Sequence, residues 1–390
     1  MFNRKNVMSS LKPIRRLVAG NDREGRSTVL IHGPAPNAHP SPALSACGHT
    51  DLWVWNDAPM QLGGDSDDGL LKYTFPGEPR GGHLRVVQRT GRPADYDRSK
   101  DRMAKPFHPV KPRPGTTGTW ERGGDDAYAS TLHKTQTVDY GMMLNGAREL
   151  VLDEGRVLMQ PGDIVIQVGA WHQWGYPLDG QMAFDMIGAD FPNGDGTAQG
   201  DDRPLQPAAP PPGVKLNRRI VTIDRPDGKS IVVSDGPSPD VLLDPARPGF
   251  ASQRMWMTDS CPARIVYETL HLPRTLEPKN GGTSFRVDIL PPDSTWLGKL
   301  TEQDVRAHFA RMGSPYACAW SADAKHPYLQ HTATFDYCVV LEGELVLVLD
   351  REEKALKQGE VALLKGVRHA WSNRSNARAV LAVSSHEGKT

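Results

Sequence analysis

Apolar and polar residues alternate in short runs along most of the chain, and turn sequences containing glycine separate the runs. Residues 135–143, 149–152 and 163–168 are rich in β-forming residues. Asn145-Gly146 and Pro161-Gly162 lie between them and have the chemistry of tight turns. Short strands joined by such turns predict an antiparallel β-sandwich or barrel.

One segment has a helical pattern instead. Residues 301–311 read TEQDVRAHFAR, with Thr301 in position to cap the first turn and Gly313 just beyond the last. The sequence therefore predicts that helices are a minor part of an otherwise all-β protein.

The strand pattern occurs twice. Residues 135–174 recur as residues 332–371 at a constant offset of 197, so that Trp174 corresponds to Trp371. RRLVAGNDREGRS from Arg15 likewise recurs as RRIVTIDRPDGKS from Arg218, at an offset of 203. A repeat of this length indicates two whole domains. We predict an N-terminal unit over 1–200 (leader 1–125, barrel motifs 126–195), a Pro-rich linker over 201–214, and a C-terminal unit over 215–390 (barrel motifs 325–385).

The repeated stretches resemble the two cupin motifs, G-x5-H-x-H-x3,4-E-x6-G and G-x5-P-x-G-x2-H-x3-N. The matching positions of the first copy are His133, Thr135, Asp139 and Gly146, then Gly162, Gly169 and His172; those of the second are Gln330, Thr332, Asp336 and Gly343, then Gly359, Gly366, His369 and Asn373. The chain is similar to a bicupin, a tandem duplication of a cupin-2-type conserved barrel domain. The HxTxTxDY form of the first motif resembles a bacterial subgroup with no agreed activity.

The resemblance implies a fold and a class of function. The implied fold is all-β, with two antiparallel double-stranded β-helix (jelly-roll) barrels in tandem and few short helices. Bicupins of this length include ring-cleaving dioxygenases, so the resemblance implies a metal-dependent, dioxygenase-like enzyme acting on a small, aromatic or carboxylated molecule. Cupins also include lyases, isomerases and proteins that only bind a ligand, and one fold hosts many functions.

Alternation along a strand places four polar residues of the first copy on one face. His133, Thr135, Thr137 and Asp139 should point into the barrel, and His172 should join them from another strand. Two imidazoles and one carboxylate suit a divalent ion such as iron, manganese, nickel or zinc. Cupin sites usually supply three histidines and a glutamate, whereas this chain has Thr135 and Asp139. A metal-free polar cavity is the alternative.

The candidate catalytic and metal-binding residues are therefore His133, Asp139 and His172. The candidate substrate pocket adds the residues Thr135, Thr137, Trp171 and Trp174. The tryptophans could instead be ordinary core packing. Two further functions stay open: a small-molecule-binding protein without metal, and a lyase or isomerase in which His172 and Asp139 form an acid-base pair.

The second copy is degenerate at the same positions. Its site would consist of the residues Gln330, Thr332, Asp336 and His369. A carboxamide is a weaker metal ligand than imidazole. The neighbouring His331 has the opposite strand parity and should face outward. We expect the second barrel to be mainly structural, or a dimer-like partner of the first.

Composition limits the partners. The 390 residues include 46 basic and 46 acidic side chains, which gives no electrostatic case for nucleic acid or an anionic membrane. No segment has the roughly 20 apolar residues of a membrane helix, and the four cysteines lack CxxC spacing. We therefore expect a soluble, cytoplasmic protein with a small-molecule substrate or ligand. The sequence does not exclude a homo-oligomer.

Overall fold

A computed structural model describes residues 11–42, 44–75, 77–112, 118–192, 209 and 211–390. Strands dominate this part of the chain, and its single α-helix is α1, Glu302–Arg311. Short 3-10 helices cover Asp68–Leu70, Arg98–Lys100, Asp293–Thr295 and Pro315–Ala317. The prediction of an all-β protein with few short helices is confirmed.

The strands of the first half are β1 (Arg15–Asn21), β2 (Ser27–Pro34), β3 (Asn37–Pro40), β4 (Gly48–Trp55), β5 (Met60–Gln61), β6 (Gly82–Arg89), β7 (Phe107–Pro112), β8 (Thr119–Gly123), β9 (Leu132–Thr135), β10 (Thr137–Asn145), β11 (Arg148–Val151), β12 (Arg156–Met159), β13 (Ile164–Val168), β14 (Gln173–Gly175) and β15 (Gly180–Asp190). Those of the second half are β16 (Arg218–Asp224), β17 (Ser230–Pro237), β18 (Val241–Leu243), β19 (Ala251–Thr258), β20 (Ala263–Arg264), β21 (Thr283–Leu290), β22 (Thr334–Glu342), β23 (Glu344–Leu349), β24 (Glu353–Lys357), β25 (Val361–Lys365), β26 (His369–Ser372) and β27 (Ala379–Lys389).

Each half contributes one large sheet and one three-stranded sheet with the same strand order. In the first half, β13, β10, β15, β6, β4 and β3 are neighbours in the large sheet, and β12, β11 and β14 form the small one. In the second half the corresponding orders are β25, β22, β27, β21, β19 and β18, and β24, β23 and β26. We call these two units the N-terminal barrel and the C-terminal barrel. The duplication seen in the sequence is therefore also a duplication of topology.

The two halves exchange hairpins. The β1–β2 hairpin extends the large sheet of the C-terminal barrel, because β1 runs parallel to β25. The β16–β17 hairpin extends the N-terminal sheet in the same way, with β16 parallel to β13. At the hairpin ends, the main-chain N–H of Ser27 donates to Asp350, and that of Ser230 donates to Asp153, each at 3.0 Å. Asp153 and Asp350, which correspond to each other at the offset of 197, thus each hold the hairpin that comes from the other half.

This exchange bears on the predicted units without testing their boundaries. The first strands of the 1–125 leader lie in the C-terminal barrel rather than in the barrel that follows them in the chain. The linker predicted over 201–214 falls outside the described residues except for 209 and 211–214. The boundaries at 200 and 215 stay predictions.

The largest core lies between the halves and contains side chains from both. Tyr140 and Phe285 stack with ring centroids 4.8 Å apart, and the Tyr140 hydroxyl lies 2.7 Å from the hydroxyl of Thr283. Trp53 packs against Phe335 at 5.2 Å. All five side chains are buried, so the contact between the barrels is a continuous apolar interior.

The predicted helix is confirmed, including its cap. Thr301 accepts a hydrogen bond from the N–H of Asp304, whose side chain in turn accepts one from the N–H of Thr301. The helix buries Val305 and Phe309 in a cluster that includes Trp296. Two of its residues, His308 and Phe309, line the small cavity of the C-terminal barrel described below.

Helices in the described part of the chain are all too short or too polar to cross a membrane. The four cysteines are free thiols, two of them buried.

Candidate active site in the N-terminal barrel

Two histidines, His133 and His172, lie on paired segments of the N-terminal barrel with their rings close together. Their main chains pair reciprocally: the N–H of His133 donates to the carbonyl of His172 at 3.0 Å, and the reverse bond is 2.9 Å. Their ring centroids are 4.3 Å apart. Each Nδ1 lies 2.8 Å from a carbonyl oxygen two residues earlier, that of Thr131 or Ala170. Because a carbonyl only accepts, each neutral ring carries its proton on Nδ1 and its lone pair on Nε2.

Asp139 supplies a buried carboxylate to the same barrel interior. It is 2% exposed, and its Oδ1 has no hydrogen-bond partner. Burial raises the pKa of Asp139 to about 7, although the hydroxyl of Thr137 opposes this by donating a hydrogen bond. That hydroxyl also lies 2.8 Å from the hydroxyl of Thr135. A carboxyl group with a pKa near neutrality is common at sites of proton transfer or ligand binding.

We expect Asp139→Asn to flatten the pH dependence of stability in the metal-free protein. The ordinary pKa of 3.8 is raised to about 7 by folding, so the folded state keeps a proton that the unfolded chain loses. Stability should therefore fall as the pH rises from about 4 to about 7, by up to about 1.4 kcal/mol per pH unit, with the full penalty above that window. Urea unfolding at pH 4.5 and 7.5 measures the difference. The same pH slope in the variant and the wild type would contradict this assignment.

Thr137→Val provides a second measurement of the same group. It removes the hydrogen bond that lowers the pKa of Asp139 while leaving the carboxyl in place. We therefore expect the window of falling stability to extend to higher pH than in the wild type.

A cavity of about 360 Å3, the N-barrel cavity, opens beside these groups. It is lined by the residues Phe75, Arg85, Val87, Arg89, Ser130, Thr131, His133, Thr135, Asp139, Arg148, Gln167, His172, Trp174, Tyr176, Phe184 and Met186. Four of the predicted polar residues and Trp174 thus line the same cavity. The volume falls in the range of small-molecule pockets, which starts at about 300 Å3.

Two predicted pocket residues lie beside the cavity rather than on its wall. Thr137 acts through its bonds to Thr135 and Asp139. Trp171 packs its ring 4.0 Å from the guanidinium carbon of Arg122, and its main-chain N–H donates to Asp224 at 2.9 Å. For Trp171 the alternative of ordinary packing describes the structure.

Asp224 connects the exchanged hairpin to both histidine segments. It is the last residue of β16, and besides the bond from Trp171 it accepts one from Lys134 Nζ at 2.7 Å. Both Asp224 and Lys134 are buried. Because Trp171 precedes His172 and Lys134 follows His133, one carboxylate from the second half fixes both segments that carry the histidines.

Sequence reasoning missed several residues of the N-barrel cavity. Arg148, Gln167 and Tyr176 line it, and neither amide atom of Gln167 has a hydrogen-bond partner. At the offset of 197, the second copy has Leu345, Leu364 and Asn373 at these positions, in that order. A residue-by-residue comparison of the two copies at inward-facing positions would have singled out Arg148 and Gln167, because each stands where the other copy has a leucine.

The C-terminal barrel arranges the corresponding residues differently. The Gln330 side-chain Nε2 lies 2.9 Å from Nε2 of His369, and Nδ1 of His369 is 3.0 Å from the carbonyl of Val367. The amide therefore donates to the imidazole lone pair that a metal would need. Thr332 repeats the threonine pair with Thr334 at 2.7 Å.

Little space remains in this second barrel. Its cavity holds about 50 Å3, and the helix residues His308 and Phe309 form part of its wall. Asp336 is buried and its Oδ1 lacks a hydrogen-bond partner, as in Asp139. His331 is exposed, as its strand parity predicts.

A separate group of potential metal ligands lies on β3 and β4. Nitrogen atoms of His39 and His49 and an oxygen of Asp51 all lie within 4.8 Å of one another. However, Asp51 forms an ion pair with Arg85, with bonds of 2.6 and 3.2 Å to its two oxygens. The carboxylate therefore already has a cationic partner.

Comparisons with known proteins find a family match in the second half of the chain. Residues 321–385 match the sequence model of the family described as Cupin domain, Cupin_2. The chain is 25% identical over 189 residues to the cupin-domain-containing oxidoreductase fogC of Aspergillus ruber, which covers 47% of this chain and 76% of that protein. It is 49% identical over 49 residues to the phomopsin biosynthesis cluster protein C' of Diaporthe leptostromiformis, covering 12% of this chain and 26% of that one.

Solved structures were also compared with the chain. The cupin 2 conserved barrel domain protein from Leptotrichia buccalis aligns with 78% of this chain and 82% of its own, at 8% identity and a TM-score of 0.32. The family match lies in the C-terminal barrel, and the N-terminal barrel repeats its strand order. The chain therefore has a match to the Cupin_2 family in its second half and a unit with the same strand order in its first half.

Proposed function

We propose that the N-terminal barrel is the active site of a metal-dependent enzyme, dioxygenase-like in class, acting on a small aromatic or carboxylated molecule. The observation that carries the proposal is the pair of imidazoles whose Nδ1 atoms are held by carbonyl oxygens. With the proton on Nδ1, Nε2 is the ring atom of His133 and His172 that would bind a metal, which supports the proposal. The similarity to a cupin-domain-containing oxidoreductase supports an oxidoreductase.

The residues present fit a divalent ion. Asp139 offers a buried oxygen that lacks a hydrogen-bond partner, and it lines the N-barrel cavity together with both histidines. Two nitrogen donors and one oxygen donor suit iron, manganese, nickel or zinc. When bound, such an ion supplies Lewis acidity and leaves coordination positions for a second ligand.

The protein's own residues prepare the cavity for this chemistry. The carbonyl oxygens of Thr131 and Ala170 keep the histidine lone pairs on Nε2. The Thr137 hydroxyl stabilises the ionised form of Asp139. Apolar side chains such as that of Phe184 limit the water around these groups.

A second candidate is a lyase or isomerase that uses Asp139 and His172 as an acid-base pair. It is favoured by the pKa of about 7 that burial gives Asp139, because a general acid or base works best near the operating pH. A small-molecule-binding protein without metal would need neither the oriented imidazoles nor the raised pKa of Asp139.

We propose that the C-terminal barrel is mainly structural. Its imidazole and carboxamide satisfy each other at 2.9 Å, and its cavity is about 50 Å3. The free thiols are compatible with a cytoplasmic enzyme, which we include in the proposal.

The test compares His172→Ala with His369→Ala, the matched position of the other barrel. Protein is purified, loaded with each metal and analysed for metal content and thermal stability. We expect His172→Ala to lose most of the bound metal, since one of three ligands is removed. His369→Ala should keep the metal and lower the melting temperature through its lost buried contacts.

Each other outcome has a definite meaning. Equal metal loss in both variants would contradict the asymmetry between the barrels. A wild-type protein that takes up no metal would overturn the metal-dependent proposal. Turnover that survives metal removal and is lost in Asp139→Asn would then identify the acid-base enzyme.

A further inference from the structure

Arg148 is a buried cation that faces the N-barrel cavity. It is 1% exposed, and burial lowers its pKa to about 10. Its Nη2 donates to the carbonyl of Val87 at 3.0 Å, while its Nε has no hydrogen-bond partner. Among the described residues, no carboxylate forms an ion pair with it. Burying an unpaired charge costs several kcal/mol, so a partner that arrives with a ligand would remove a large penalty.

Aromatic rings surround this guanidinium. Its central carbon lies 5.8 Å from the ring of Trp174, 5.2 Å from that of Tyr176 and 5.9 Å from that of Phe184. The ring of His172 lies 6.0 Å from the same Trp174 ring. One small planar molecule can therefore contact Arg148, the aromatic walls and the histidine side of the cavity together.

The two other arginines of the cavity differ from Arg148 in their partner or in their burial. Arg85 forms an ion pair with Asp51 at 2.6 Å. Arg89 is hydrogen bonded to Tyr176, and its guanidinium carbon is 5.5 Å from that ring. Arg148 is thus the cavity cation that is both buried and without an ion pair among the described residues, whereas Arg89, which also lacks an ion pair there, is partly exposed.

The other barrel shows what this position looks like without such a role. Leu345 replaces Arg148 there and lies in an ordinary apolar core, and Asn373 replaces Tyr176. That barrel fold is therefore complete with a leucine at this position, so the arginine is not needed to form the hairpin. Its cavity, about 50 Å3 against about 360 Å3, has no room for a ring-sized ligand.

We infer that Arg148 binds the carboxylate of a planar aromatic acid whose ring packs on the aromatic wall of the cavity formed by Trp174, Tyr176 and Phe184. The inference rests on the proposed function for its location and names the substrate class of that site. A guanidinium presents parallel N–H groups that match a carboxylate, which a neutral amide cannot replace. The aromatic side chains supply the apolar contact that holds the ring.

The experiment measures binding of benzoate and of its neutral isostere benzamide by titration calorimetry. The wild-type protein should bind benzoate at least 10-fold more tightly than benzamide. Arg148→Leu, which installs the residue of the other barrel, should weaken benzoate about 10- to 100-fold, because charged hydrogen bonds are lost, and leave benzamide nearly unchanged. Arg148→Lys should fall between the two, since it keeps the charge without the fork.

Arg156→Leu is the matched control. Arg156 lies on the neighbouring strand of the same small sheet, has a side chain 67% exposed and pairs with Glu149 at 3.5 Å. Its loss changes the net charge equally and should leave benzoate affinity within about twofold. Thermal melting adds a readout that separates binding from structure: without ligand, Arg148→Leu should melt no lower than the wild type, and benzoate should raise the melting temperature of the wild type and of Arg156→Leu more than that of Arg148→Leu.

The titrations are run on metal-free and metal-loaded protein, which separates this inference from the proposed function. Benzoate binding that depends on Arg148 in a protein that takes up no metal would support the inference and overturn the metal-dependent function. Metal uptake with no preference for benzoate over benzamide would support the metal-dependent function and overturn the inference. Unchanged benzoate affinity in both Arg148→Leu and Arg148→Lys would overturn the inference.

Discussion

Asp224→Asn is expected to destabilise the N-terminal barrel by about 3 kcal/mol, because a buried ion pair loses one partner. Asparagine keeps an oxygen for the N–H of Trp171 but removes the charge opposite Lys134, whose Nζ lies 2.7 Å from the carboxylate. The measurement is the free energy of unfolding in urea. Hydrogen exchange should increase in the segments around His133 and His172, because both are held by this residue.

Asp235→Asn is the control for this variant. Asp235 lies on β17 of the same hairpin, is 41% exposed in its side chain and pairs with Arg218. Loss of an exposed ion pair should cost no more than about 1 kcal/mol. Equal costs for the two variants would show that the buried pair does not tie the hairpin to the site.

Leu17→Ala and Ile220→Ala should each destabilise the barrel of the opposite half, by about 3 kcal/mol. Leu17 is 1% exposed on β1 and packs in the core of the C-terminal barrel, with Leu345 and Leu347. Ile220 is fully buried on β16 and packs in the core of the N-terminal barrel, with Leu150. Both substitutions leave a cavity where the exchanged hairpin meets its sheet.

Hydrogen exchange with mass spectrometry locates the effect. We expect Leu17→Ala to lower protection in β22, β25 and β27, and Ile220→Ala to lower it in β10, β13 and β15. These two variants are controls for each other, because they occupy equivalent positions of the repeat. Loss of protection in the half that carries the substitution, with the other half unchanged, would contradict the exchange.

The sequence predicted the duplication and the strands, because both depend on local patterns. The turn glycines, the alternation around Asp139 and the cap at Thr301 all act within a few residues. The exchange of hairpins could not be predicted in this way. The segments from Arg15 and Arg218 are nearly identical in pattern, so either would fit the edge of either barrel. Only the contacts of the folded chain determine which edge each one occupies.

The candidate site was predictable in part for a similar reason. His133, Asp139 and His172 stand at motif positions, and strand parity places them inside. Arg148 could not be predicted in this way. The sequence of its hairpin is otherwise typical of a surface hairpin, and long cationic side chains usually reach solvent. Its burial follows from how the two sheets of the barrel face each other, which periodicity along one strand does not describe.

The parallel pairing of β1 with β25 also sets a constraint on how the protein is made. The ion pair between Arg15 and Glu360 joins residues 345 positions apart, and ribosomes add about 5 to 20 residues per second. The β1–β2 hairpin is therefore synthesised tens of seconds before its partner strand β25. The N-terminal barrel is likewise incomplete until β16 has been synthesised. Throughout that interval the nascent chain displays open strand edges and the apolar face of β1. Two nascent chains on one polysome could donate their first hairpins to each other, so an entwined dimer is the misassembly to expect when synthesis stalls before β25.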